Sequence, residues 1–339
     1  MKGENRESQP NVFESKSSNF YNAFIVLSVF NIFLAITATL GNTLIFLALG
    51  RNSCLHAPSR LLIRCLTFTD LCVGLISQPL AALHAVSILT KHLAIFRFTV
   101  VSSYITSAVL SGVSLFVSTF ISIDRLLALS LGVRYRQTVT TKRVRIFVIV
   151  IWTVNLANAV IRFLENRFVF YIVCLAGILF CVVVSTYCYV KICRTLRAQR
   201  KKVWATASEG KPNESSQLHV ERYKKTVSSA LWVHFTLLAC YLPYSIVSGL
   251  KAITGDTFAV AEGLTATLVF FNSSVNPVLY CWRIREVRQA VKETIRQYFG
   301  FSNGAQTDAQ NISFQRTSTT RAFQLSLRTS TDFKVIPQK

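Results

Sequence analysis

Long apolar segments alternate with short polar or basic segments along the chain. Seven apolar segments reach the length of about 20 residues that a helix needs to cross a bilayer. They cover residues 23–50, 60–89, 95–129, 144–163, 168–193, 226–250 and 257–282. The pattern therefore predicts an all-α membrane protein whose main part is a seven-transmembrane helix bundle.

The fourth and fifth predicted spans are separated only by residues 164–167. A single helix through both spans would be about 75 Å long, which is far more than the thickness of a bilayer. We interpret residues 162–167 as a tight turn at the water interface. If the two segments formed one helix, the bundle would have six spans.

The segments outside the bundle follow other patterns. Residues 1–22 are polar, residues 198–220 predict a loosely structured loop, and residues 301–339 predict a flexible tail rich in Ser and Thr. Residues 283–300 place apolar and basic side chains on opposite faces of a helix. This pattern predicts an amphipathic helix on the cytoplasmic membrane surface.

Composition narrows the class of protein further. Hydrophobic residues make up 51% of the chain and charged residues only 15%, with a mean hydropathy of +0.42. Soluble domains carry about 25% charged residues. A soluble enzyme, a disulfide-stapled secreted module and a disordered chain are therefore excluded.

The distribution of Lys and Arg predicts the orientation in the membrane. Of the 37 basic residues, only eight lie on the side that holds the N-terminus. Because basic loops stay in the cytoplasm, we expect an extracellular N-terminus, a cytoplasmic C-terminus and a multi-pass protein of the cell membrane. The net charge of +22 is then explained by contacts with membrane lipids, and we expect no nucleic-acid partner.

Asp70 is an ionisable residue in the middle of the second span, where a charge is costly. Polar residues in other spans predict a cluster around it: Asn42, Ser114, Asn272, Ser273 and Asn276. Such a cluster can hold a small hard cation, or the carboxyl group can be hydrogen-bonded or protonated. We expect a sodium ion as an allosteric modulator and no other cofactor.

Two further features lie in the predicted spans. Asp124 and Arg125 end the third span, where an Arg can serve simply as an interface anchor. Pro243 and Pro277 interrupt the hydrogen bonding of the sixth and seventh spans, and such kinks can act as pivots.

Six motifs occur in register with these spans. They are Gly41-Asn42, Leu66 to Asp70, Ser122-Ile-Asp-Arg-Leu126, Trp152, Tyr189 and Asn276-Pro277-Val-Leu-Tyr280. Together they resemble the rhodopsin-like (class A) G-protein-coupled receptors over residues 23–299.

The resemblance implies a cell-surface receptor that binds an extracellular ligand and activates heterotrimeric G proteins. It implies that arrestin and receptor kinases act on the C-terminal tail. The ligand-binding residues would be Tyr104, Ser107, Ser111, Tyr241, Tyr244 and Phe270. The residues of activation and G-protein coupling would be Asp124, Arg125, Tyr189, Pro243, Asn276, Pro277 and Tyr280.

Departures from the family pattern bear on the ligand. The third span lacks the usual outer Cys, the turn at 164–167 is short, and the fifth span has no central Pro. In these three absences the chain resembles the group of melanocortin, cannabinoid, lysophospholipid and adenosine receptors. Ser107 stands where amine receptors have an Asp. We therefore expect a lipid or another small amphipathic mediator, with a melanocortin-like peptide as the alternative.

Charges near the predicted extracellular mouth favour a neutral or acidic ligand by a small margin. Five basic residues are set against three acidic ones: Lys91, Arg97, Arg162, Arg167 and Lys251 against Glu165, Asp256 and Glu262.

Other classes of function remain open at this point. One is a membrane transporter or channel, which the lack of repeats disfavours. Another is a receptor-like protein that does not couple, because Leu126, Tyr223 and Tyr241 depart from the family motifs. Enzymatic activity is not expected, since the five His are not clustered and no nucleophile motif occurs.

Overall fold

The computed structural model describes residues 18–51, 56–163, 167–208, 235–251, 253–254, 258–283 and 285–298. The helices are α1 Ser18–Arg51, α2 Ala57–Leu89, α3 Leu93–Leu131, α4 Thr141–Phe163, α5 Arg167–Ser208, α6 at 235–251, α7 Ala259–Arg283 and α8 Arg285–Tyr298. A 3₁₀ turn at Gly132–Arg134 and a short helix at Tyr135–Thr138 connect α3 to α4. The chain divides into two compact units, Met1–Val291 and Lys292–Lys339.

The helices form the predicted bundle around α3. α1 packs against α2 and α7, whereas α3 packs against α2, α4 and α5. Within the described residues, five helices, α1 to α5, are long and apolar enough to cross a membrane. α6 is described only in part, and α7 carries Glu262 and several buried amides and hydroxyls that lower its hydropathy. The fourth and fifth predicted spans are described as separate helices, of which α4 ends at Phe163 and α5 begins at Arg167, and residues 164–166 of the predicted turn lie outside the described residues.

The prediction for residues 198–220 was wrong over its first part. α5 continues as a helix to Ser208, 15 residues beyond the predicted end of the fifth span at 193. Residues 194–208 consist mostly of good helix formers, and adding residues to an existing helix needs no new nucleation step. The remainder of that predicted loop, Tyr223 and the predicted flexible tail at 301–339 lie outside the described residues.

The contact between α1 and α7 explains the Gly41-Asn42 and Asn276-Pro277 motifs. A Cβ atom on Gly41 would lie 2.9 Å from Cγ of Pro277, so only Gly allows this close approach. Pro277 has no N–H, which leaves the carbonyl of Ser273, four residues earlier, without its helical donor. The Asn42 amide supplies the missing donor, with Nδ2 3.0 Å from that carbonyl oxygen.

Asn42→Ala is therefore expected to destabilise the protein by about 1–3 kcal/mol, since a buried carbonyl loses its partner. Thermal unfolding of the purified protein in detergent measures the effect. Thr37→Val is the control on the same helix, because the Thr37 hydroxyl donates only to carbonyl oxygens of its own helix, those of Phe33 and Leu34. Equal unfolding temperatures for both variants would contradict the role assigned to Asn42.

Candidate functional site

A cavity of about 360 Å³ lies among α3, α4, α5, α6 and α7. Five of the six residues that the sequence suggested for ligand binding line it: Ser107, Ser111, Tyr241, Tyr244 and Phe270. The cavity has the size of a small-molecule site and its lining is mostly apolar. None of its described lining residues is Asp, Glu, Lys, Arg or His.

Tyr241 connects α6 to α3 beside this cavity. Its hydroxyl donates to the backbone carbonyl of Ser111 at 3.2 Å, and its side chain is buried against Leu115 and Val269. A ligand that displaces this hydroxyl would therefore alter the contact between α3 and α6 directly.

Tyr104, the sixth suggested residue, is not among the residues that line the cavity. It lies about one turn away, toward the N-terminal end of α3, where its hydroxyl is 3.2 Å from Nζ of Lys251. Lys251 also forms an ion pair with Glu262, with Nζ 2.6 Å from Oε2. The Lys251 ammonium further lies 5.2 Å from the ring centroids of both Tyr104 and Tyr171. We call Lys251, Glu262, Tyr104 and Tyr171 the outer cluster.

The outer cluster shows how one of the basic residues near the predicted mouth is used. Lys251 was counted as a basic residue available to an acidic ligand, but Glu262 neutralises it. Of the other basic residues in that count, Lys91 and Arg97 are exposed to solvent, and the side chains of Arg162 and Arg167 lie outside the described structure. The ion pair removes one charge of each sign, so the excess of two basic residues in that count is unchanged, but Lys251 itself is no longer available to an acidic ligand.

Asp70 is fully buried and accepts three hydrogen bonds. Its Oδ1 accepts from the hydroxyls of Ser114 at 2.9 Å and Ser273 at 2.8 Å. Its Oδ2 accepts from Nδ2 of Asn276 at 2.7 Å. Asn272 is buried on α7 next to Ser273 in sequence but makes no hydrogen bond to Asp70 within the described structure.

This arrangement is compatible with a sodium ion. The carboxylate and the two Ser hydroxyls bring three oxygen atoms together, and each hydroxyl keeps a lone pair while it donates to Asp70. The same three donors also satisfy the carboxylate without a cation, so both alternatives from the sequence are chemically possible here.

Asp124 at the other end of α3 is held by two hydroxyls. Tyr135 donates to Oδ1 at 2.6 Å and Ser59 donates to Oδ2 at 2.9 Å. The nearest guanidinium nitrogen of Arg125 is 3.9 Å from Oδ2, and the Arg125 side chain is partly exposed. The ion pair of Asp124 with Arg125 is therefore loose, because the carboxylate already accepts hydrogen bonds from Tyr135 and Ser59.

The other residues suggested for coupling lie on three helices. The Tyr189 hydroxyl on α5 accepts a hydrogen bond from Ser122 at 2.8 Å. Tyr280 and Asn276 are buried on α7, which contains Pro277, and Pro243 lies within α6. Only Asp124 and Arg125 among them are joined by a described ion pair.

Tyr135→Phe tests whether the two hydroxyls keep Arg125 available. Burial, and then the hydrogen bond to Asp124, raises the pKa of the Tyr135 hydroxyl, so it stays protonated and donates at physiological pH. Without it, Asp124 gains a free lone pair for Arg125, and we expect the G-protein activation that the resemblance implies to fall by a few-fold. Nucleotide exchange on purified G protein measures this. Thr138→Val in the same short helix is the control, and equal activity in both variants would contradict the expectation.

Sequence reasoning missed several contributors to these sites. Asn155 and Asn158 on α4 line the cavity, although the fourth span was noted only for Trp152. Their spacing of three residues places them on one face of the helix, which is the signal that could have found them. The contacts of Glu262 with Lys251 and of Tyr135 with Asp124 were not predicted, because each contact joins residues on different helices.

Comparison with known proteins now identifies the class. The family model for the 7 transmembrane receptor (rhodopsin family) matches residues 41–169 and 162–280. The chain belongs to this family: it is a multi-pass membrane protein and a G-protein-coupled receptor, and it is not an enzyme.

Individual relatives are distant but cover most of the chain. The histamine H2 receptor of Cavia porcellus is 24% identical over 303 residues, which are 78% of each chain. The adenosine receptor A3 of Ovis aries is 24% identical over 282 residues, 76% of this chain and 86% of the relative. Melanocortin receptor 5 of Pan troglodytes is 25% identical over 302 residues, 85% of this chain and 89% of the relative.

Proposed function

We propose that this receptor is activated by an uncharged lipid or another small amphipathic molecule that binds in the cavity. The observation that supports this is the absence of any charged side chain among the described lining residues. Apolar walls with a few hydroxyl and amide groups favour a ligand that is mostly apolar and carries a small polar head.

A cationic ligand fits this cavity poorly. The histamine H2 receptor is by its name a receptor for histamine, but Ser107 offers only a hydroxyl group, and the Glu262 carboxylate is already paired with Lys251. An ammonium group buried without a counter-charge pays a large desolvation cost. A basic melanocortin-like peptide meets the same difficulty.

Activation is proposed to follow from differential binding to two arrangements of the bundle. Ligand contacts with Tyr241 and Tyr244 would favour an outward swing of α6 about Pro243. The swing would open a cytoplasmic cleft in which Arg125, Tyr189 and Tyr280 contact the G protein. The N-terminus would be extracellular, and the C-terminal tail would be the substrate of receptor kinases and the binding site of arrestin.

Ser107→Asp tests the ligand class. Its carboxylate would lie in the apolar cavity, so we expect the response to a neutral lipid agonist to weaken by about tenfold or more. The assay is second-messenger production in transfected cells exposed to panels of neutral lipids, amines and basic peptides. Ser107→Ala is the matched control and should change potency little. Activation of the wild-type receptor by amines or basic peptides alone would overturn the proposal.

A further inference from the structure

One wall of the cavity is also part of the outer surface of the bundle. Val154 on α4 and Val173 and Phe180 on α5 line the cavity, yet they are 52%, 39% and 60% exposed. In a spanning helix, a side chain exposed at the outside of the bundle faces lipid rather than water. The cavity is therefore open sideways, toward the bilayer, between α4 and α5.

Small residues keep this lateral opening wide. Ala176 and Gly177 lie on α5 between Val173 and Phe180 and also line the cavity. A Cβ atom on Gly177 would lie 3.6 Å from Cζ of Phe116, so a side chain at this position would take up space that is now empty.

The outer cluster covers the other approach. Tyr104 lies about one turn from Ser107 on α3, and Lys251 lies about two turns from Tyr244 on α6, both toward the proposed extracellular side. The ion pair between Lys251 and Glu262 joins α6 to α7, and Tyr104 adds α3 through its hydroxyl. A ligand arriving from water would have to separate these contacts, whereas a ligand arriving from the bilayer would not.

Asn158 provides a polar group at the edge of the lateral opening. Its side chain is 8% exposed, and its Nδ2 donates to Sγ of Cys174, which joins α4 to α5. Asn158 is one of the residues that line the cavity, and its Oδ1 is buried and has no hydrogen-bond partner within the described structure. A buried amide oxygen without a partner is costly, and a donor from an occupant of the cavity would satisfy it.

The depth of these residues fits a lipid of the extracellular leaflet. Asn158 is five residues, or about 7.5 Å, from the end of α4 at Phe163, and Val154 is about 6 Å deeper. A polar head at Asn158 would thus lie near the membrane surface while its chain extended past Val154 and Phe180 toward the middle of the bilayer.

We propose that a single-chain lipid with a neutral hydroxyl head enters the cavity from the extracellular leaflet between α4 and α5. Its hydroxyl donates to Oδ1 of Asn158, and its chain occupies the apolar space between α3 and α5. This inference rests on the proposed function, since it assigns the route and the head-group contact of the same ligand class.

The test uses the full-length receptor reconstituted in phosphatidylcholine vesicles that contain a monoacylglycerol with a photoreactive diazirine in its chain. Illumination followed by mass spectrometry of peptides is expected to show labelling on α4 and α5, and excess unmodified monoacylglycerol should remove it. Val154→Trp should lower labelling about tenfold by filling the opening. Val150→Trp is the matched control, because Val150 is 51% exposed on the same helix but does not line the cavity.

The head-group contact is tested in the same assay. Asn158→Leu removes Oδ1, and we expect the competing monoacylglycerol to bind about tenfold more weakly. Thr153→Val removes a hydroxyl group from the same helix at a position that does not line the cavity, so its competition curve should stay within about twofold of wild type.

Three results would overturn the inference. Equal labelling of the Val154→Trp and Val150→Trp variants would exclude access between α4 and α5. Unchanged competition in Asn158→Leu would exclude the proposed head-group contact. Absence of labelling that unmodified monoacylglycerol can remove would exclude the lipid from the cavity. Nucleotide exchange on the G protein tests the proposed function separately. If a neutral lipid stimulates nucleotide exchange, the proposed ligand class holds even when the proposed entry route is wrong.

Discussion

Lys251→Met is expected to destabilise the receptor by about 2–4 kcal/mol. The variant leaves the Glu262 carboxylate in a mostly buried position without its cation, and breaking a fully buried pair costs about 3–5 kcal/mol. The Lys251 and Glu262 side chains are 17% and 11% exposed, so some screening by water lowers the expected cost. The lost cation–π contacts with Tyr104 and Tyr171 add to it.

Thermal unfolding of the purified receptor measures this effect, and two further variants isolate its cause. Lys251→Met combined with Glu262→Leu removes both charges and should recover most of the lost stability. Lys91→Met removes an exposed Lys and should leave the unfolding temperature unchanged. If the double variant were less stable than the single one, the cost would not come from an unpaired carboxylate.

Sodium is expected to raise the unfolding temperature of the receptor by binding at Asp70. We expect the wild-type receptor to unfold at a higher temperature in sodium chloride than in N-methylglucamine chloride. A ligand of the folded state at ten times its dissociation constant stabilises by about 1.4 kcal/mol. Asp70→Asn removes the charge that would hold the ion, so the difference between the two salts should disappear.

Asp70→Asn is also expected to lower the stability of the folded receptor by an amount that does not depend on sodium. If the oxygen of the substituted amide still accepted from Ser114 and Ser273, the NH₂ group of that amide would face Nδ2 of Asn276, and one donor would be left unpaired. The expected loss is about 1–3 kcal/mol in either salt. Ser114→Ala is the control, since it removes one hydroxyl but keeps the charge and should reduce the salt effect without abolishing it. Identical unfolding temperatures of the wild type in both salts would contradict the sodium site.

The sequence predicted those features that depend on spacing along one helix. Apolar runs located α1 to α5, and the break before Arg167 was indicated by the length that a bilayer allows. The cluster around Asp70 was predicted in part: Ser114, Ser273 and Asn276 donate to its carboxylate, whereas Asn42 donates to backbone carbonyls instead. The cavity was predicted in part, since five suggested residues line it.

The features that sequence reasoning missed depend on how helices face one another. Lys251 and Glu262 look like ordinary interface charges until α6 and α7 bring them together. Tyr135 is one polar residue among many in a basic loop, and only the turn after α3 aims its hydroxyl at Asp124. The sequence also did not predict the π-helical turn at Val73–Ser77, just before Pro79. A helix can accommodate a Pro by a simple kink, so the Pro alone does not specify a π-helical turn.

The length of α5 has a mechanical consequence. Its 42 residues make a rod of about 63 Å, roughly twice the hydrocarbon thickness of a bilayer, so about 30 Å of continuous helix projects beyond the membrane core. A stiff rod anchored at one end acts as a lever: a tilt of about 10° within the membrane displaces the far end by about 5–6 Å, one helical turn. A small tilt of α5 around Ile178 that leaves side-chain packing unchanged would therefore move the end of the helix near Ser208. The displacement there would be comparable to the length of a side chain.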